Sequence, residues 1–335
     1  METQKIENFY LNESQLKKAP YQVYRVKRGN GRLYYTLEEG QPNFYISLTT
    51  LTRNTLPTSP YLIKWMCDMG YNESQAFMNE RANYGSLMHL AFGYFLTTKQ
   101  WNFDKTKEFI VNQVAIGAVE QCDADKYVND LNDDVAAFAQ FCADCKVNPI
   151  AIELVLVSKK DFYGTMIDLV CKMTVTEKGQ FGEVYKTGEN KGKPKESKVD
   201  REITALLNFK SGRKNFYDEH EIQLEFERRL FEENYPDVTI DKIYNWSPKE
   251  WTKTPTYNLK DQSESLEKEK ADALLIIAKI ELIKRIGGSE RVYPENVKYG
   301  EVPIITEKSL VEQVMERNST SEEILEVKDM DIMLL

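Results

Sequence analysis

The sequence predicts an α/β fold, a central mixed sheet of roughly four or five strands flanked by helices. Three observations lead there. Apolar residues recur at helical spacing through 80–96, where Tyr84, Leu87, Ala91 and Phe95 share a face, and helical patterns continue across 104–146. The pattern then changes to strand-like runs at Ala151–Val157 (AIELVLV), Phe162–Val175 (FYGTMIDLVCKMTV) and Ile203–Lys210 (ITALLNFK). Helical spacing returns at Glu219–Glu233 and stops before Tyr235-Pro236, because a proline pushes the preceding residue out of the helical region.

The remaining elements follow from turn and breaker residues. YQVYRVKRGNGRLYYTL reads as two short strands around Gly29-Asn30-Gly31. Ser59-Pro60 opens a helical stretch, YLIKWMCDMG, that ends at Gly70. Residues 177–202 are rich in Lys and Gly and form either an extended hairpin or a mobile loop. Thr239–Trp246 suits a further short strand, Pro255–Gln262 reads as a linker, and Glu264–Ile286 as a long charged helix ended by Gly287-Gly288. The expected organisation is an N-terminal helical cap over 1–80, a core over 81–250, and a C-terminal helical extension with an acidic tail over 251–335.

Composition narrows the function classes. Of 335 residues, 41% are hydrophobic, enough for a packed core, yet no apolar run is long enough to span a membrane. The start, METQKIENFYLNESQ, lacks the basic-then-apolar pattern of a signal peptide, so a cytoplasmic protein with reduced cysteines is expected. Cys142 and Cys145 form a CxxC inside a helical pattern and read as packing residues; a zinc site would need a second pair or nearby histidines, and the chain has 2 histidines, His89 and His220. A net charge of −9 argues against bulk affinity for nucleic acid. Residues 186–214 nevertheless hold nine basic against four acidic side chains, a pattern that fits a local nucleic-acid track or a solvated hairpin.

Four places carry chemistry. Gly85–His89 (GSLMH) puts a histidine on a helix. Gly164–Asp168 (GTMID) puts an aspartate on an otherwise apolar strand, where a carboxylate costs several kcal/mol unless it is paired or metal-bound. The third strand ends in Asn208-Phe209-Lys210, and period-2 geometry points Asn208 and Lys210 to one face. On the following helix Gln223 and Glu227 lie one turn apart, on one face.

In this order (helix histidine, strand, strand aspartate, strand lysine, helix glutamine) the chain resembles the PD-(D/E)XK nuclease superfamily, in particular its RecB-like and Cas4-like exonuclease branch. The matching features are G85SLMH89, Glu153 on the first strand, G164TMID168, N208FK210SG212 and Q223LEFE227, about 140 residues in all. The segments NFKSGRKNFYDEHEIQLEFERRLFEE and NWSPKEWTKTPTYNLKD also look like nucleases of tailed bacteriophages. The resemblance implies a restriction-endonuclease-like core and metal-dependent hydrolysis of DNA, exonucleolytic, in replication, recombination or DNA processing. It implies that His89 and Asp168 hold Mg²⁺ or Mn²⁺, with Asn208 at the position of an acidic ligand. Lys210 would orient or activate the attacking water, and Gln223 would position substrate or a neighbouring group. Lys186, Lys191, Lys193, Arg213 and Lys214 are the candidate DNA-binding residues.

Two departures matter. Asn208 stands where the superfamily has Asp or Glu, and Glu227 stands where it favours Tyr. One reading is that Glu227, or else Glu219, supplies from the helix the carboxylate that Asn208 lacks. The rival is an impaired nuclease fold that binds DNA or scaffolds a replication or recombination complex. A third class is an interaction protein working through the 264–286 helix and the tail EEILEVKDMDIMLL, which either docks on the core or binds a partner protein. Cluster-bearing relatives place cysteines after the helix glutamine; here the last is Cys171, so no iron–sulfur cluster is expected.

Overall fold

Strands β6 (Asn148–Val157), β7 (Tyr163–Val184) and β8 (Pro194–Phe209) form the centre of the molecule. They correspond to the three apolar runs in the sequence, and the Lys/Gly-rich stretch between the second and third continues both strands into a long antiparallel hairpin. The computed structural model describes residues 3–28, 31–56, 58–184, 186–189, 191, 194–212, 216, 218–264 and 271–276. The acidic tail and most of the 264–286 helix lie outside the described residues; 271–276 is helical.

Among the described residues ten strands make one mixed sheet, about twice the expected number. The N-terminal region is not the helical cap the sequence suggested. It supplies β1 (Thr3–Ile6), β2 (Tyr10–Leu11), β3 (Val23–Arg28), β4 (Gly31–Glu38) and β5 (Gln41–Ser47), followed by helices α1 (Leu48–Thr55) and α2 (Pro60–Met69). β5 runs parallel to the start of β7, pairing Ile46 with Tyr163 and Ser47 with Gly164, while β2 pairs with β6. Beyond β8 the sheet continues through β9 (Lys242–Pro248), parallel to it, and β10 (Tyr257–Asp261), antiparallel to β9. The stretch read as a linker over 255–262 is therefore largely an edge strand. Its alternation is hard to see because Asn, Lys and Asp occupy three of its five places.

Helices cover both faces. α3 (Tyr71–Thr98), α4 (Thr106–Ala115) and α5 (Ala124–Asp144) pack on one, and α1 with α6 (Asp218–Asn234) on the other. Gly70 separates α2 from α3 at φ +93°, a left-handed geometry that suits glycine. Asp123 caps α5 by accepting from the Asp125 amide. On the α3/α5 face Phe92 stacks on Phe138 at 4.0 Å and meets Phe209 and Trp246 edge-on. Cys142 and Cys145 pack against this same cluster, in line with a packing role. Strand β8 alternates regularly: Leu206 enters the α6 cluster, while Ala205, Leu207 and Phe209 enter the α3/α5 cluster.

Phe92 is fully buried on the helix that carries His89 and contacts three aromatic rings, Phe138, Phe209 and Trp246. Phe92→Ala is expected to cost about 3–5 kcal/mol in urea unfolding. A change below about 1 kcal/mol would mean that this aromatic cluster does not hold α3 to the sheet.

Candidate metal centre

Two of the four chemical positions in the sequence, His89 and Asp168, meet Glu153 at one rung of the sheet. Ile152 pairs with Leu169 and Leu154 with Ile167, so Glu153 and Asp168 stand opposite each other between those pairs. Both strands break their pleat there. Residues two apart on a regular strand share a face, yet Ile152 and Leu169 pack with α3 and α5, while Leu154 and Ile167 pack with α6. Glu153 adopts φ +49°, a left-handed conformation strained for a residue with a side chain. Gly164, four residues before Asp168, lies where an added Cβ would come within 3.0 Å of Val157 and 3.1 Å of the Leu156 carbonyl. The glycine of the GTMID motif thus lets β7 approach β6 closely.

His89 reaches this rung from α3. Its Nδ1 lies 3.0 Å from Glu153 Oε1 and 3.6 Å from Asp168 Oδ1. Asp168 Oδ2 accepts the Phe209 amide at 2.6 Å, which ties the carboxylate to the end of β8. Ligand atoms of His89, Glu153 and Asp168 all fall within 4.8 Å of one another, a spacing that could hold a metal ion. The resemblance matches Glu153 on the first strand but assigns it no role. The available signal was a charged residue inside the apolar run AIELVLV.

A second network lies beside the first. Lys210 donates to Gln223 Oε1 at 2.9 Å, Gln223 donates to Glu227 Oε1 at 2.8 Å, and Asn208 Nδ2 donates to both Glu227 oxygens at 3.0 and 3.2 Å. Glu227 is fully buried, whereas its neighbours Arg228 and Arg229 pair with Glu225, Glu232 and Asp272. Glu227 is thus no ordinary surface charge of α6. Asn208 and Glu227, the expected metal ligands, bond to each other beside the His89–Glu153–Asp168 group. His220 lies one turn before Gln223, and burial together with Lys210 pushes its pKa down to about 3. Of the expected DNA-binding residues, Lys186 and Lys191 are exposed between β7 and β8; Lys193, Arg213 and Lys214 lie outside the described residues.

The charges are poorly compensated by protein alone. Burial raises the pKa of Asp168, helped by Glu153, against His89, Lys210 and the Phe209 amide. Burial also raises that of Glu227, helped by Asp168, against Lys210, Gln223 and Asn208. For His89, burial acts downward, but Asp168 and Glu153 outweigh it and lift the pKa to about 9. A proton on His89 thus does what a cation would do between two carboxylates. Neither protein-family models nor curated proteins give a match to this chain.

All three shifts have one sign. Each group binds its proton more tightly folded than unfolded, so the contribution of these three is largest at low pH and falls as pH rises, whereas the depressed His220 acts the other way below pH 6.5. The window opens at the ordinary carboxylate values, 3.8 and 4.5, and closes as pH passes the folded His89 value of about 9. Urea unfolding of metal-stripped protein should show this decline. Glu227→Gln should flatten part of it, and added Mn²⁺ should offset it increasingly at higher pH, because metal and protons compete. A flat profile from pH 6.5 to 9, above the range where His220 opposes the decline, would contradict these shifts.

Proposed function

We propose that this chain is a metal-dependent deoxyribonuclease of the PD-(D/E)XK type, from the RecB-like and Cas4-like branch and encoded by a tailed phage, that hydrolyses phosphodiester bonds from DNA ends. The observation that carries this reading is the meeting of His89, Glu153 and Asp168, with a lysine fixed on the adjoining strand end. The donor set suits the proposed ion. Two carboxylates and one imidazole favour Mg²⁺ or Mn²⁺, the nitrogen tilting the choice toward Mn²⁺. A bound divalent ion polarises the scissile phosphate and lowers the pKa of coordinated water.

The chain's own groups do the rest. The Phe209 amide and the sheet hold Asp168 in place. Lys210 is fixed twice: its backbone amide donates to the Trp246 carbonyl and its ammonium to Gln223. That ammonium can orient the attacking water and oppose the charge that grows on the phosphorane oxygens. Glu227 on α6 is the carboxyl group beside the neutral Asn208, and a bound cation would draw it to its charged form against the burial that raises its pKa. The exposed Lys186 and Lys191 would meet the DNA backbone electrostatically. Among the described residues no helix is long and apolar enough to cross a membrane.

One observation favours a second reading, a DNA-binding protein with weakened catalysis: Asn208 offers its amide nitrogen to Glu227. A single assay separates the two. Linear single- and double-stranded DNA should be degraded with Mn²⁺ or Mg²⁺, with activity lost on chelation. Asp168→Ala and Lys210→Ala should each reduce it by about a hundredfold or more. Salt-sensitive binding without cleavage would favour the second reading, and undiminished cleavage by Asp168→Ala would remove the proposed site. A Mn²⁺-soaked crystal tests Glu227 separately: metal within about 2.5 Å of its oxygens makes it a ligand.

A further inference from the structure

Asn208 and Asn245 face each other across the parallel β8–β9 ladder, one register pair apart from Leu207 and Tyr244. Both point toward α6. Asn208 contacts Glu227 there, and Ile243, two residues before Asn245, packs in the α6 cluster, while Tyr244 and Trp246 pack on the opposite face. Asn208 is 1% exposed and Asn245 is 0% exposed. Three of their four amide atoms, Asn208 Oδ1 with Asn245 Oδ1 and Nδ2, have no hydrogen-bond partner among the described residues. Buried amides lose free energy unless something completes their bonds.

The three atoms are two acceptors and one donor. A single water molecule, donating twice and accepting once, matches that set and makes about the three bonds typical of a buried water. We propose that Asn208 and Asn245 hold one internal water between them, and that through it Asn245 is a positioning residue for the Asn208–Glu227 contact. An Asn amide can rotate by half a turn, which would set Asn208 Oδ1 against the Glu227 carboxylate. A water that donates to Oδ1 keeps Nδ2 aimed at Glu227, where it donates to both oxygens. Glu227 in turn anchors Gln223, and Gln223 holds Lys210. The bonded series then runs from β9 through β8 and α6 to the lysine ammonium. Its bearing on cleavage rests on the nuclease reading; the water itself does not.

Two structural measurements test it. A crystal structure at about 1.5 Å should show spherical density within hydrogen-bond distance of Asn208 Oδ1 and of both Asn245 amide atoms. No density there, or a direct bond between the two amides, overturns the proposal. In a double-mutant cycle on the full chain, Asn245→Leu and Asn208→Leu should each lower Tm, and the double variant should fall no further than the worse single. A rise in Tm for Asn245→Leu would show an amide with nothing bound to it, and additive losses would show two unconnected side chains. If Asn245→Leu does not fold, the wild-type density decides alone. Where the wild type cleaves DNA, Asn245→Leu should lower kcat about tenfold with KM unchanged, as for other residues that act through a neighbour. Asn245→Ser, which keeps a donor and an acceptor, should recover part of that loss. Wild-type protein that does not cleave would end the nuclease reading and leave both structural tests standing.

Discussion

A carboxylate inside a sheet must be balanced by something, and the arrangement around Asp168 provides that balance. The rung shared by Glu153 and Asp168 breaks the pleat of both strands, and each turns a carboxylate toward a histidine from α3. Two acids this close repel each other, and burial strengthens that repulsion. The structure compensates with the His89 imidazole, the Phe209 amide and the nearby Lys210. A left-handed Glu153 is part of the same arrangement, since strained backbone persists where the surroundings over-determine it.

The second network gives Lys210 its direction. A free lysine samples many rotamers, whereas here the ammonium is bonded to an amide oxygen that is itself bonded to a buried carboxylate. Asn208 donates its amide to the Glu227 carboxyl group, which α6 buries against the sheet and which burial and Asp168 push toward its protonated form. The two networks communicate through space, because Asp168 raises the Glu227 pKa and Lys210 lowers both acids.

The surrounding fold keeps these groups in register. Helix α3 is fixed by the stacking of Phe92 with Phe138 and the edge contacts to Phe209 and Trp246, and the same Phe209 meets the His89 ring at 5.7 Å. The N-terminal strands extend the sheet through β5, which pairs with the start of β7, and Gly164 permits the close approach of β6 to β7. On the other face α6 is held to the sheet by Leu224, Phe226 and Leu230, while the buried Glu225 pairs within the helix with Arg228 and Arg229.

By itself the sequence determined the alternation of helical and strand segments, the place of the three central strands, and the chemical types at His89, Asp168, Lys210 and Gln223. Hydrophobic period and breaker residues are local, so those features could be read directly. Only the tertiary structure decided that residues 3–47 join the sheet, because strands of mixed polarity reveal their partners only through long-range pairing. It alone turned Glu153 into the third member of the centre, through a pleat break that a period-2 reading assumes away. It also decided that Glu227 is buried and bonded to Asn208; helical spacing placed it beside Gln223, but the depth of α6 against β8 and β9 determines whether water reaches that face.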